Sequence, residues 1–269
     1  MKRIDTSQIH PKYYIPHHGV FKMSQDGKTS QIRVVFNASA KTTNGKSLNN
    51  ELLIGPKLQN NICQIITNFR LFPVVFTADI CKMYCQIVVH PEHQNYQAIL
   101  WRESPKDPIG CYLLQTVTYG TSSAPYLSIR TLHQLAQDEG QSFPLASESL
   151  INDTYVDDIL SGASSVEEGK LLKSELTSLL KLGGFELKKW ASNRPELLNE
   201  NSNLEMVFSE NSQSPDAIKV LGIKWHPLND SFSYQVNIKE HKITKRSILS
   251  IVSSIFDPLG WVTPSILWG

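Results

Sequence analysis

The chain has 269 residues, of which 41% are hydrophobic and 19% are charged, a length that allows one large domain or two modest ones. No apolar run approaches the roughly 20 residues of a membrane span, and the N-terminal segment MKRIDTSQIHPKYY lacks the apolar stretch of a secretory signal. The 4 cysteines are too few and too irregularly spaced for a disulfide framework. We therefore expect reduced thiols in an intracellular protein.

The net charge of +1 conceals an uneven distribution along the chain. Residues 1–70 carry a net charge of +7, residues 138–216 carry −9, and residues 217–269 carry +3. A basic N-terminal part is typical of a protein that binds a polyanion. An acidic stretch would repel the same polyanion unless cations intervene, and solvated protein faces would give the same pattern.

Hydrophobic periodicity and turn residues predict the following elements in chain order. A β-hairpin turns at Asp26-Gly27, and a helix runs from Pro56 to about Arg70. An apolar strand covers 71–80 and further strands cover 96–102 and 111–119, before a helix at about 124–137. Ser165 and Glu168 form a capping box for a helix that Gly183-Gly184 ends. The remaining predictions are a strand at 185–192, two strands within 218–236 and a helix from Lys242 to about Phe256.

Three aspartates are the strongest sign of chemistry. Asp79 lies near the end of the strand 71–80, and Asp157-Asp158 lie in TYVDDIL, which has strand character on both sides. At the tip of a hairpin the pleat is broken, so adjacent carboxylates can face the same side. If this hairpin lies beside the strand 71–80, the three carboxylates converge and repel one another unless cations are present. Two Mg²⁺ ions would relieve that repulsion and would suit phosphoryl transfer.

Ordered motifs give the chain a resemblance to reverse transcriptases, and more specifically to those of Pao/BEL-class LTR retrotransposons. The motifs are YYIPHHGV, RVVFNASAKT, SLNNELLIGP, FTADICKMYCQI, TVTYGTSSAP, YVDDILSG, GFELKKW, VLGIKW and IFDPLGWVTP. The resemblance implies an α+β fold with fingers and an RRM-like palm sheet flanked by helices. It implies fingers over 1–70, palm with part of the fingers over 71–217, a primer-grip-like hairpin over 218–240, and the start of a truncated thumb or connecting helix over 241–269.

The same resemblance implies roles for individual residues. The metal ligands would be Asp79, Asp157, Asp158 and the carbonyl of Ile80, with Asp158 the weaker carboxylate ligand and Mn²⁺ a possible substitute for Mg²⁺. Lys189 would protonate the pyrophosphate leaving group, with Lys188 as the rival for that role. The nucleotide-binding residues would be Arg33, Tyr84 (a steric gate against ribonucleotides), Tyr119, Gly120 and the weaker candidate Lys22. Leu221-Gly222 would form the primer grip.

The resemblance also implies partners and alternatives. The partners would be an RNA or DNA template with its primer and dNTPs, without a membrane. Protease, ribonuclease H and integrase would be polyprotein neighbours, and a cytoplasmic virus-like particle would be the location. Asn37, Cys81 and Cys85 depart from the group's pattern, as a drifting genomic copy would. Two alternatives are an inert, truncated remnant that only binds nucleic acid, and another palm-type phosphotransferase such as a nucleotide cyclase.

Overall fold

The computed structural model describes residues 1–23, 29–198, 217–234, 244–264 and 268. In this part of the chain the strands are β1 Lys2–Ile4, β2 His17–Met23, β3 Thr29–Phe36, β4 Val74–Ile80, β5 Ala98–Trp101, β6 Gly110–Leu113, β7 Thr154–Tyr155, β8 Asp158–Ala163, β9 Leu187–Ser192, β10 Ile218–Val220, β11 Ile223–His226 and β12 Ser231–Ser233. The helices are α1 Leu48–Glu51, α2 Ile62–Phe69, α3 Met83–Gln86, α4 Pro91–Gln94, α5 Ala124–Glu139, α6 Pro144–Asn152, α7 Val166–Leu182 and α8 Lys245–Ser254, with a 3-10 helix at Pro195–Leu197.

The chain forms two compact units. The first contains Met1–Leu58 and Lys82–Gln134, and the second contains Gln59–Cys81 and Leu135–Gly269. Within the described ranges, no helix is long and apolar enough to cross a membrane. The fold is a mixture of helices and several small sheets whose neighbouring strands pair antiparallel, in agreement with the mixed class expected from the sequence.

The first unit contains two small sheets. One is the antiparallel hairpin β2–β3, and the other has the strand order β1-β6-β5. A core cluster joins Ile15, Ala38, Leu48 and Ile99. β1 was not expected from the sequence, because three residues give no readable periodicity; it pairs with β6 through Lys2 and Leu113. The expected strand 111–119 is shorter, since β6 ends at Leu113.

The second unit is built around a four-stranded sheet of order β7-β8-β4-β9. The two faces of β4 are both covered, which explains its near-continuous apolar sequence. On one face Val75 and Leu160 share a core cluster with Phe69 of α2 and Trp225 of β11. On the other face Phe76 lies against Trp190, their ring centroids 5.5 Å apart. α7 covers the same face and begins at the N-cap Ser165, whose side chain accepts a hydrogen bond from the Glu168 N–H, as the capping pattern predicts.

Several predicted boundaries were wrong for local physical reasons. α2 begins at Ile62 rather than Pro56, because Asn61 caps the helix by accepting a hydrogen bond from the Cys63 N–H. The described part of the predicted segment 218–236, residues 218–234, contains three short strands rather than two, since positive φ angles at Leu221 (45°) and Gly222 (93°) add a turn after β10. α6 was missed altogether. The predicted turn Asp26-Gly27 lies outside the described residues.

The C-terminal helix agrees with the sequence only in part. α8 begins at Lys245, because the Thr244 side chain accepts a hydrogen bond from the Ser247 N–H and the Ser247 side chain accepts one from the Thr244 N–H. The start predicted at Lys242 lies outside the described residues. The predicted division into fingers, palm, primer-grip hairpin and thumb remains a prediction.

Candidate active site

Two of the predicted carboxylates lie opposite each other on adjacent strands of the second unit. Asp79 of β4 and Asp158 of β8 are directly paired in the antiparallel register. Side chains at such positions stand on the same face of the sheet, with Cβ atoms about 4.5–5.5 Å apart. Asp79 and Asp158 are therefore brought together by register, although 78 residues separate them in the sequence.

The third carboxylate belongs to the turn that joins β7 to β8. Tyr155 pairs with Asp158, so Val156 and Asp157 form a two-residue connection at the tip of the hairpin. The Ile80 N–H donates a hydrogen bond of 2.7 Å to the Asp157 carbonyl, which fixes the turn against the end of β4. The sequence-based expectation that the pair of aspartates lies at a hairpin tip agrees with this geometry. The Ile80 carbonyl as a metal ligand stays a prediction.

Lys189 lies within hydrogen-bond distance of one of these carboxylates. Its ammonium nitrogen lies 3.1 Å from Asp79 Oδ1. Lys188 faces Asp79 in the strand register, but its ammonium nitrogen lies 3.2 Å from a carboxylate oxygen of Glu186. The register shifts between Thr77 and Asp79, and Lys189 has a φ of 54°, so a local irregularity in the ladder redirects the side chains of β9.

The charges of this cluster shift the pKa values of Asp158 and Lys189. Burial, followed by the charges of Asp157 and Asp79, raises the pKa of Asp158 from 3.8 to about 6, and Lys189 opposes this shift. Burial by itself would lower the pKa of Lys189. Its hydrogen bond to Asp79 and the negative charges of the three carboxylates outweigh burial, so the pKa lies above the ordinary value. Lys189 is therefore a cation at neutral pH that lies among competing negative charges.

The donor set fits a divalent cation with few protein ligands. Across the ranges that the structure describes, no group of three or more His, Cys, Asp or Glu side chains is arranged to hold a metal ion by itself. Magnesium at phosphoryl-transfer sites takes one or two carboxylates, and water and substrate phosphates supply the other ligands. The Asp79–Asp158 pair offers two hard oxygen donors on one face of the sheet. The negative charges around Asp158, which contribute to its raised pKa, favour binding of a cation.

A cavity opens beside these carboxylates within the second unit. Its volume is about 310 Å³. Its lining includes the charged residues Asp79, Asp158 and Lys189, and most of the other lining residues are apolar. The other lining residues are Thr77, Ala78, Leu160, Trp190, Ala191, Ala217, Ile218, Lys219 and Val220. The carboxylates are thus accessible to a small ligand and are not sealed in the core.

The predicted nucleotide-binding residues all lie in the first unit. Arg33 and Lys22 are exposed on β3 and β2. Tyr119 donates a hydrogen bond of 2.8 Å to the Val34 carbonyl, next to Arg33. Burial and then the neighbouring Cys85 raise the pKa of Tyr119, while Arg33 lowers it, so these side chains are electrostatic neighbours. Tyr84 is half-buried in α3.

Gly120 occupies a position that only glycine suits. Its φ is +93°, and a Cβ would lie 2.6 Å from the Phe36 carbonyl oxygen. Asn49 braces the same loop, because its side chain donates to the Gly120 carbonyl at 3.0 Å and accepts from the Ser122 N–H at 2.8 Å. Sequence reasoning missed Asn49, since no local signal indicates a partner 71 residues away.

The predicted primer-grip residues form the turn between β10 and β11. Leu221 and Gly222 both have positive φ, the conformation of a tight two-residue hairpin turn. Within this hairpin Val220 is buried in the same core cluster as Trp225 and Val75 of the central sheet. The hairpin is therefore anchored to the strand that carries Asp79, while its role toward a primer stays a prediction.

Comparison with known proteins shows similarity at the level of structure only. No protein-family model matches the chain, and no curated protein does. The structure of the foamy viral protease-reverse transcriptase dRH in complex with double-stranded DNA matches 89% of this chain with a TM-score of 0.59 and 18% sequence identity. The chain has a reverse-transcriptase-like fold.

The likeness covers a minor part of that viral protein. The chain spans 35% of the foamy viral chain. A second structure, the prototype foamy virus protease-reverse transcriptase CSH mutant, matches 65% of this chain and 20% of its own, with a TM-score of 0.46 and 16% identity. The fold is thus shared with the foamy viral dRH structure at low sequence identity, and the Pao/BEL class is not confirmed.

Proposed function

We propose that the chain is the polymerase part of an RNA-directed DNA polymerase of a Pao/BEL-class retrotransposon. The observation that carries the proposal is the cross-strand pair Asp79–Asp158 with Asp157 on the adjacent turn and Lys189 bonded to Asp79. The reverse-transcriptase-like fold supports it.

The proposed reaction is attack of a primer 3′-hydroxyl on the α-phosphate of a dNTP, with pyrophosphate as the leaving group. Asp79, Asp157 and Asp158 would hold two Mg²⁺ ions, which when bound would stabilise charge on the attacking and leaving oxygens. Lys189 is protonated at neutral pH and would donate its proton to the leaving pyrophosphate.

The remaining roles follow from residue chemistry and from the motif resemblance. The Arg33 guanidinium suits a triphosphate because its planar fork can donate two parallel hydrogen bonds. Tyr84 would exclude the 2′-hydroxyl, Tyr119 and Gly120 would contact the incoming nucleotide, and Leu221-Gly222 would hold the primer. The viral relative is described in complex with double-stranded DNA, which supports a template–primer duplex as the partner. The polyprotein neighbours and the cytoplasmic virus-like particle belong to the same proposal.

Primer extension tests this function directly. Unmodified chain should extend oligo(dT) on poly(A) with dTTP and Mg²⁺, and Asp157→Asn should abolish extension while duplex binding in a gel shift is retained. Asp107→Asn, in an exposed turn of the first unit, removes the same charge outside the motif and should leave extension intact. Duplex binding without extension by the unmodified chain would overturn the polymerase proposal and identify an inert nucleic-acid-binding remnant.

A further inference from the structure

One residue of the turn that carries Asp157 has a backbone conformation that its side chain disfavours. Val156 has a φ of 57°, in the left-handed region. A β-branched residue is a genuine outlier there, because its Cβ substituents crowd the backbone. Such a conformation persists only where the surrounding structure holds it, and it concentrates at functional sites. The question is therefore which groups hold Val156.

Hydrogen bonds join this turn to two other segments of the chain. On one side the Ile80 N–H donates to the Asp157 carbonyl at 2.7 Å. On the other side the Val156 N–H donates to Gln59 Oε1 at 3.3 Å. The first bond comes from the strand that carries Asp79, whereas the second comes from a loop residue 97 positions away in the sequence. Gln59 is thus the side chain that fixes the peptide group of the strained residue.

The chain directly after Gln59 is anchored at two positions. Asn60 donates from its side chain to the carbonyl of Asn152, the last residue of α6, at 3.0 Å. Asn61 caps α2 through its side chain. Gln59 is half-buried, so its amide oxygen is held in place and only partly exposed to water. This geometry suits a positioning role better than that of a surface polar residue.

We propose that Gln59 is a positioning residue that holds Val156 in the left-handed conformation and thereby fixes the turn that carries Asp157 against the end of β4. A neutral amide is suited to this position, because a carboxylate would add a further negative charge near three others. The consequence for catalysis rests on the proposed polymerase function. The conformational consequence does not.

Amide hydrogen exchange tests the conformational part without any catalytic activity. In the metal-free chain, Gln59→Leu should raise exchange at the Val156 amide by at least about tenfold, because the hydrogen bond is lost. Gln64→Leu makes the same chemical change at an exposed position of α2 and should leave this exchange unchanged. Equal exchange at Val156 in the unmodified chain and in Gln59→Leu would overturn the proposal.

Single-nucleotide addition tests the catalytic part. Gln59→Leu should lower kcat by at least about tenfold with little change in the KM for dTTP, because a displaced carboxylate affects chemistry more than binding. In the Val156→Gly background the left-handed conformation carries no steric penalty. Gln59→Leu should therefore lower kcat far less in that background. An equal loss in both backgrounds would contradict the positioning role, even if the protein is a polymerase.

The two tests separate the inference from the proposed function. If the unmodified chain extends no primer, the polymerase proposal fails, and the exchange measurement alone decides whether Gln59 holds the turn. If primers are extended but exchange and kcat do not respond to Gln59→Leu, the polymerase proposal stands and the inference about Gln59 is wrong.

Discussion

Replacement of Asp158 by asparagine should stabilise the metal-free chain, with a pH dependence that has a definite sign. Burial and the charges of Asp157 and Asp79 raise the pKa of Asp158 from 3.8 to about 6. Because the folded-state pKa lies above the unfolded value, the folded chain binds the proton more tightly and loses stability as the pH rises from about 4 to above 6. Asparagine resembles the neutral carboxyl in shape. The variant should therefore be more stable than the unmodified chain above about pH 6 and equally stable below about pH 4.

The size of this effect follows from the shift. About two pKa units correspond to about 3 kcal/mol. The carboxyl keeps partial contact with water, so screening reduces the benefit, and we expect about 1–2 kcal/mol at neutral pH. For a chain of this size that raises the Tm by about 3–6 °C.

Thermal unfolding in EDTA at about pH 4, 6 and 8 measures the difference between Asp158→Asn and the unmodified chain. Asp153 is also buried, which raises its pKa, but its contribution is common to both chains and cancels. Glu103→Gln at an exposed position controls for the change in net charge. Addition of Mg²⁺ should stabilise the unmodified chain more than the variant. Destabilisation by Asp158→Asn at every pH would refute the electrostatic reasoning.

Three further predictions concern other residues. Gly120→Ala should destabilise the first unit by about 2–3 kcal/mol in chemical denaturation, because it combines backbone strain with a steric clash. Gly45→Ala is the control for backbone strain alone, because Gly45 has a φ of +79° and an added Cβ would have nothing within 4 Å. Lys189→Met should slow single-nucleotide addition about a hundredfold, whereas an equal loss in Lys188→Met would contradict the assignment of the proton donor. Tyr84→Ala should admit ribonucleotides in an extension assay, and unchanged discrimination against them would exclude the steric-gate role.

Elements with local signals were predictable from the amino-acid sequence. The apolar run of β4, with Asp79 near its end, was readable because a strand buried on both faces needs apolar residues throughout. The start of α7 was readable because Ser165 caps the nearby Glu168 N–H. TYVDDIL indicated a hairpin tip, because two adjacent carboxylates suit a turn better than a buried strand. The motif order also indicated the reverse-transcriptase-like fold.

Contacts between distant segments determine which groups meet at the site. Asp158 stands opposite Asp79 because of strand register, a property of two distant segments that neither encodes alone. Lys189 contacts Asp79 at 3.1 Å, at an irregularity in the β4–β9 ladder where the simple alternation of side chains fails. Gln59 gave no signal in the sequence, because a lone glutamine in a loop shows its role only when the strained Val156 lies next to it. Local propensities therefore specified the strands and the turn, and long-range packing specified the chemistry.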